Sequence, residues 1–528
     1  MSQRFLVLLL FTCLQIYNVK SENEFYSEST FFTQDDTYFF HTVEKGQTVY
    51  SIATMYRVSV DEIYALNPHS KTAIKVGEKL KIPQESGSYI YHEIQPQETL
   101  YALAQKYQLK GEDILEVNPG LSVQTFQIGK VIRIPVNRVN VPIQGGNDVI
   151  NRIKTNSLLD QIPSGQSVKT IRVALLLPFG LKGKVNGENN SVDRMVEYSE
   201  GFLLALKTLK SNGVSVDLQV YDTGPDGKEI SNILKKEEMQ KVHLIIGGLS
   251  DEQIKMISRF SNERKIPYVI PFTSMSNEPF NNSMTFQVNT PQSVLYDKAS
   301  TAFINKFKSY HIILVSGDNG ASNQSEFISL LINDLQEKQI PFKTISFKQF
   351  SDADFISGLN LAGNDVFVPD DDSPETVKTM ISVLGSIQDS HPESQISLFG
   401  YPLWQTYVSK YSNDFSRLNT SFFSVFYADL TSPEVKNFYD TFYKWYGRNI
   451  SDNFPKFGIL GYDTGMYFLQ AVYINGTSFY KEINGLKYKG LQTDFYFERV
   501  NNWGGFINSN LFVVNFNPDN SITRTNIK

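Results

Sequence analysis

The residues of this chain that could do chemistry are scattered rather than assembled. His92 and Glu93 stand together in "YHEIQP", but the second histidine that a zinc-protease helix needs is missing. There is no glycine-rich lysine loop to cradle phosphates, and no G-x-S-x-G turn to expose a nucleophilic serine. The six histidines are dispersed, so spacing assembles no metal set. "PDDDSPE", from Pro369 to Glu375, reads as an exposed acidic turn before it reads as a calcium loop. "GDNGAS", opening at Gly317, offers only two glycines as an anion seat. Cys13 is the one cysteine, and it lies in the leading segment. If that segment is removed, no disulfide, thiolate or cysteine-based metal site remains. The expectation is a binding protein, not an enzyme, with no cofactor and no metal.

The polar residues that recur are more informative. "TVEKGQTVYSIATMYRVSVDEIYALNP" (Thr42 to Pro68) returns as "EIQPQETLYALAQKYQLKGEDILEVNP" (Glu93 to Pro119). His41 aligns with His92, Thr48 with Thr99, Tyr56 with Tyr107, and Asn67-Pro68 with Asn118-Pro119. After one extra residue in the second copy, Gly77 meets Gly129, and Ile82-Pro83 meets Ile134-Pro135. "FFHTV" and "YIYHEI" alternate as short strands do. Thr48 and Thr99 are placed to cap helices, and Val49, Ile52, Ala53 and Tyr56 follow at helical spacing. A second short helix ends at Asn-Pro, because the residue before proline is pushed out of the helical region. "KLKIP" and "VIRIP" close each unit as a strand. The order is β-α-α-β, twice.

This pattern resembles the LysM domain across both units, residues 38–84 and 89–136. The resemblance implies binding of N-acetylglucosamine-containing glycans, peptidoglycan above all, in a shallow groove between two loops. Carried onto this chain, the first loop is Gly46, Gln47 and Thr48. The second is Asn67 with Ile74, Lys75, Val76 and Gly77. The matching positions of the second unit are Thr99 and Asn118. Gln97 stands where Gly46 stands, so a side chain crowds the second groove. Two weak sites on one chain would gain from effective concentration. The pair is expected to fold independently of the larger C-terminal part of the chain.

At 528 residues the chain has room for three or four domains of roughly 150 residues. Arg4 followed by an apolar run from Phe5 to Leu14 reads as an export signal over residues 1–21. Acylation at Cys13 fits poorly, since small residues should precede it. Residues 137–168 are rich in Gly, Pro, Asn and Ser and read as a linker. From Lys169 strands alternate with helices: "IRVALLLPF", "VHLIIGG", "IPYVIPFTS", "HIILVSG", "DVFVPD", "ISLFGYP". That is α/β, with too many strands for one sheet, so two lobes are expected.

The strand–helix order, the "GG" after the third strand, "IPYVIPFTS" and the later "GYDTGMYFLQA" resemble the type I periplasmic solute-binding fold over residues 169–528. The resemblance implies two lobes, three crossovers and a ligand in the cleft. Ligands of open α/β sheets sit beyond strand carboxyl ends. Cleft candidates are therefore Leu249, Ser250, Thr273 and Ser274 in the first lobe, and Ser316, Asp318, Tyr401 and Asp429 in the second. Each hydroxyl reads equally well as a helix cap. "KGLQTDFYFERVNNWGGFIN" replaces the family's Gly-rich turn, so Trp503 either remodels the cleft or forms a contact surface.

The function so implied is an exported, non-catalytic protein of the periplasm and cell envelope. It binds peptidoglycan or another GlcNAc-containing glycan through the tandem units. Between its lobes it captures or senses a small molecule, amino-acid-like or a muropeptide. The alternative is an adaptor whose lobes hold another envelope protein instead. A net charge of −6 argues against a nucleic-acid partner, and no membrane span is expected.

Overall fold

The computed structural model describes residues 37–84, 88–136, 170–180, 189–224, 228–317, 322–350, 363–486 and 488–527. The expected signal at 1–21 with Cys13, the linker at 137–168, and the cleft candidate Asp318 lie outside them.

Each repeat folds as β-α-α-β. The first module runs β1 (Tyr38–Thr42), α1 (Val49–Tyr56), α2 (Val60–Leu66) and β2 (Lys79–Pro83), with β1 antiparallel to β2. Thr48 caps α1, where Ser51 N donates to the Thr48 hydroxyl at 3.1 Å and Thr48 N donates to the Ser51 hydroxyl at 3.0 Å. Ser59 and Glu62 form the same reciprocal cap on α2. Ile52, Ile63, Leu80 and Ile82 are fully buried between the helices and the strands. The second module repeats this as β3 (Tyr89–Glu93), α3 (Leu100–Lys106), α4 (Gly111–Val117) and β4 (Val131–Pro135). Its core holds Leu103, Ile114, Ile132 and Ile134.

The body is two α/β lobes. The first begins with β5 (Ile171–Leu177), α5 (Asn189–Ser211), β6 (Val216–Asp222), α6 (Lys228–Leu234), β7 (Leu244–Gly247), α7 (Asp251–Arg264), β8 (Tyr268–Ile270) and β9 (Thr285–Gln287). The chain then crosses to the second lobe. There it forms α8 (Gln292–Phe307), β10 (His311–Ser316), α9 (Ser325–Glu337), β11 (Phe342–Ser346), β12 (Asn364–Pro369), α10 (Pro374–Ser390), β13 (Gln395–Gly400), α11 (Val408–Arg417) and β14 (Ser421–Ser424). It returns as α12 (Pro433–Tyr446), α13 (Phe457–Asn475), β15 (Phe497–Arg499) and β16 (Phe506–Asn508). It crosses a third time to end as β17 (Leu511–Phe516) and β18 (Ile522–Ile527).

The sheet orders are β15-β16-β9-β8-β7-β5-β6 and β11-β10-β12-β13-β14-β17-β18. Helix α13, after the second crossing, packs on α5, before the first, and so reunites the first lobe. The contact is backbone-close: a Cβ on Gly201 would lie 1.7 Å from the Gly458 carbonyl, and one on Gly461 would lie 2.0 Å from that of Tyr198. Strand direction locates the cleft. The first and second crossings leave from the carboxyl ends of β9 and β14. The third leaves β16, which is parallel to β9, and enters β17 opposite the carboxyl end of β14, where Ser424 pairs with Phe512. All three therefore run between the carboxyl edges of the two sheets, the arrangement that the sequence resemblance implies.

The two modules pack against each other and against the body. Tyr91 and Val131 of the second module complete the first module's core. Phe39 and Tyr91 stack at 5.3 Å, and Gln84 exchanges two hydrogen bonds of 3.1 Å with the Tyr91 backbone. Trp503, from the β15–β16 hairpin of the first lobe, enters the same core at 3% exposure. This settles the two readings of Trp503 in favour of a contact surface: it is the seam between modules and body.

Candidate functional site

In both modules a histidine on the first strand shapes the loop expected to hold a sugar. His41 Nδ1 meets the Tyr56 hydroxyl at 2.7 Å, and its Nε2 meets Gln47 Oε1 at 2.7 Å. Gln47 Oε1 also accepts from Glu44 N at 2.8 Å. The second module builds the same clamp from His92, Tyr107 and Glu98, at 3.0 and 2.7 Å, with Gln95 N donating to Glu98 at 2.8 Å. Burial holds His41 below its usual pKa, despite the bond to Gln47. Burial pushes Glu98 up, but the Gln95 N–H, His92 and Lys106 outweigh it and hold its carboxyl below the usual range. Gln47 Oε1 is thus committed to shaping the loop. Gly46 turns that loop at φ 77°, and Gln97 takes the same left-handed conformation at φ 68°. There a side chain costs about 1 kcal/mol. Gln97 is exposed and keeps the turn.

The second loop is tied to the first by backbone. Gly77 N donates to Val43 O at 2.8 Å, and Gly129 N to Ile94 O at 2.8 Å. Gly77 and Gly129 share φ 84°, and the residues before them, Val76 and Ile128, are each 67% exposed. An exposed β-branched side chain at the rim of each groove is suited to pack on an acetyl methyl or a sugar face. Lys75 is exposed beside Val76, while Ile74 packs against the module core. Thr48 and Thr99 are exposed at the groove edge, and their hydroxyls accept from the helix N–H groups of Ser51 and Ala102. Ile128 was absent from the sequence candidates, although its alignment with Val76 across the one-residue shift was the available signal.

Asn67 and Asn118 are corrected from sugar contacts to internal braces. The Asn67 amide donates to Ile63 O and Lys81 O at 2.9 and 2.8 Å, and its Oδ1 accepts from Lys81 N at 2.9 Å. Asn118 does the same with Ile114 O and Arg133 O, both at 2.7 Å, and with Arg133 N at 2.8 Å. Both are buried. They pin the end of the second helix to the closing strand, and their amide donors are fully used.

The body forms part of the surroundings of the first groove. Lys45 reaches α8, bonding Thr301 at 3.0 Å and pairing with Asp297 at 3.2 Å. A Cβ on Gly46 would stand 3.6 Å from Val294 of the same helix. Helix α1 meets the first lobe: Asn281 accepts from Arg57 at 3.2 Å and donates to Thr54 O at 3.1 Å, and Asn277 donates to Tyr50 at 3.0 Å. The second module meets the β15–β16 hairpin, where Gly120 N donates to Asn502 O at 2.6 Å. Arg133 lies 4.5 Å over the Trp503 ring and donates to Asn281 at 3.0 Å.

At the cleft, most sequence candidates are occupied locally. Ser250 caps α7 through Gln253 N at 3.3 Å, while Leu249 donates its N–H to Gln253 Oε1 at 3.0 Å. Thr273 accepts from Met275 N at 3.0 Å, and the Ser274 carbonyl accepts from Gln287 at 3.1 Å. Ser316 donates to Asp370 at 2.8 Å. Asp429 accepts from Thr431 N and its hydroxyl at 2.8 and 2.6 Å, a turn before α12. Tyr401 is fully buried in the second-lobe core, its hydroxyl donating to Pro369 O, and is corrected from ligand contact to core.

The acidic turn is not the exposed feature expected. Asp370 and Asp372 are buried at the carboxyl end of β12. Asp372 accepts from Asn323 at 2.7 Å and Gln324 at 3.0 Å. Burial raises its pKa, although those amides oppose the shift. The signal available in sequence was position, three carboxylates between a buried strand and a helix. Among the described residues no group of metal-ligating side chains is placed to hold an ion, and no helix is long and apolar enough to cross a membrane. The loops following the strand carboxyl ends expose large apolar side chains instead: Leu249, Met275 at 85%, Leu403 and Leu430.

The LysM domain model matches residues 41–83 and 92–135, so the two modules are LysM domains. The chain is similar to the Bacillus subtilis protein YdhD, named as a sporulation-specific glycosylase, with 38% identity over 97 residues. That stretch is 18% of this chain and 22% of YdhD, so the chain spans about a fifth of that relative. Among solved structures it is similar to the branched-chain amino acid substrate-binding protein LivJ of Streptococcus pneumoniae in complex with isoleucine. That match is 13% identical, covers 68% of this chain and 99% of the other, and has a TM-score of 0.37. A periplasmic ligand-binding protein of a branched-chain amino acid transporter from Burkholderia xenovorans is 10% identical. It covers 68% and 95% of the two chains, with a TM-score of 0.44.

Proposed function

We propose that this chain is an exported, non-catalytic protein of the cell envelope that holds GlcNAc-containing glycan, peptidoglycan above all, in the grooves of its two LysM domains. The supporting observation is the duplicated rim. Val76 and Ile128 stand at matching positions, equally exposed, each ahead of a glycine with φ 84° and across from a left-handed turn. Two grooves on one chain strengthen each other when one strand reaches both. The test is co-sedimentation with purified peptidoglycan, together with titration by chitotetraose, of wild type and of Val76→Asp with Ile128→Asp. The double variant should keep its thermal transition and lose at least ten-fold in binding. Unchanged sedimentation would refute the assignment of the grooves.

The lobes receive a second ligand at their facing carboxyl edges, and an amino-acid-like solute or a muropeptide is the first reading. A second reading, an adaptor that holds another envelope protein, is favoured by a specific observation. The hydroxyls and carboxylates at those edges are bonded within their own or a neighbouring loop, whereas Leu249, Met275, Leu403 and Leu430 are exposed. Apolar rims of this kind suit a protein surface better than a zwitterion. A thermal-shift screen against amino acids and muropeptides separates the two. A ligand-dependent rise supports solute capture, and silence across the screen supports the adaptor.

A further inference from the structure

The first LysM domain touches both lobes, on either side of one crossover. Its helix α1 is fixed to the first lobe through Asn277 and Asn281, which precede β9. Its loop at Lys45 and Gly46 rests on α8, the opening helix of the second lobe, through Asp297, Thr301 and Val294. Between these two sets of contacts runs the crossover from β9 to α8. A rotation of the second lobe about its crossovers moves α8 relative to Asn281. The Lys45–Gly46 loop must then either follow α8 or part from it.

That loop is also one wall of the first groove. Gly46 stands beside α8, where an added Cβ would come within 3.6 Å of Val294, and Gln47 next to it is clamped by His41. A sugar seated against Gly46 competes for space with Val294. We infer that occupancy of the first groove and the relative orientation of the lobes are coupled, so that a glycan displaces the Lys45–Gly46 loop from α8 and releases the second lobe. This rests on the glycan reading above. By linkage, whatever the lobes hold in the released arrangement raises glycan affinity by the same factor. The second domain, whose described contacts with the body are to the first lobe, at the β15–β16 hairpin and at Asn281, serves as the fixed anchor.

The experiment uses the full chain with Cys13→Ser and spin labels at Glu252→Cys in α7 and Ser409→Cys in α11, both exposed positions, one in each lobe. Inter-lobe distances are measured by pulsed electron spin resonance with and without saturating chitotetraose, whose binding is followed by calorimetry. Glycan should shift or broaden the distance distribution. Lys45→Ala and Asp297→Asn, which break the same ion pair from opposite sides, should show the shifted distribution without glycan. Both should bind chitotetraose about two- to five-fold more tightly, the range of a partly exposed pair. Binding that leaves the wild-type distribution unchanged overturns the coupling and spares the glycan reading. Variants indistinguishable from wild type in both readouts also overturn it. Absence of chitotetraose binding overturns both.

Discussion

Replacing Trp503 with alanine should undock the LysM pair from the body without unfolding either. The indole is 3% exposed and lies 5.9 Å from the Tyr56 ring, 5.5 Å from the Tyr91 ring and 4.5 Å beneath the Arg133 guanidinium. Truncating a buried tryptophan costs about 3–5 kcal/mol. Here that cost falls on an interface, because each LysM domain keeps its own strands and helices. It therefore moves the docked-to-undocked ratio by about two to four orders of magnitude. What remains in the seam is polar: Gly120 N to Asn502 O at 2.6 Å, Asn502 to Val131 O at 3.1 Å, the bonds of Asn277 and Asn281 to Tyr50, Thr54, Arg57 and Arg133, and the partly exposed Lys45–Asp297 pair. The indole N–H finds no acceptor, so Trp503→Phe forfeits area but no hydrogen bond and should fall between the two. Small-angle scattering reads the outcome as an increased radius of gyration, and calorimetry as a separate transition for the modules. A W503A variant with the wild-type scattering profile and an undivided transition would refute the seam as the reason the pair is docked.

Three further outcomes rest on named contacts. Asn118→Ala leaves the Arg133 N–H and two carbonyls without their partner, so the second LysM domain should lose about 2–4 kcal/mol in chemical denaturation. Its glycan affinity per folded molecule should be unchanged. Gly120→Ala places a Cβ 2.6 Å from Arg499 Cδ and 2.9 Å from Asn502 O, so it should loosen docking while leaving the module's own melting intact, as read by limited proteolysis across the seam. Asp463 is fully buried, and burial raises it from 3.8 to about 6 against the hydrogen bonds it accepts from Leu491, Gln492, Thr493 and Tyr488. The folded chain then holds a proton that the unfolded chain has released. The stability this group contributes is complete below pH about 4 and lost as pH rises through about 6, on the order of 3 kcal/mol. Asp463→Asn should flatten that part of the stability–pH curve measured by urea titration. An identical curve would show that Asp463 is not its source.

Local periodicity made the LysM domains legible. Thr48 and Thr99 announce the first helix of each module, Asn-Pro ends the second, and the apolar spacing of Ile52 and Tyr56 returns at Leu103 and Tyr107. The two lobes were legible for a similar reason, since strands and helices alternate along the chain. What escaped is set by residues distant in sequence. Asn67 looks like a loop residue until Lys81, fourteen positions on, takes its side chain. Tyr401 follows a strand, and only the packing around it sends the ring inward rather than toward a ligand. Trp503 was visible as an oddity, but its partners Tyr56, Tyr91 and Arg133 lie hundreds of residues away. An exposed apolar rim residue such as Met275 is equally invisible, because sequence pattern predicts which hydrophobics pack and not which are left over.

The joint between the two LysM domains has a mechanical meaning of its own. Lys79 pairs with Glu93 and Lys130 with Glu44, so each domain supplies one cation and one anion to the other beside the stacked Phe39 and Tyr91 rings. Their grooves are held at one separation and one angle, like the jaws of a caliper. On the proposed glycan reading, a saccharide strand that engages both must already carry the matching pitch or bend to acquire it.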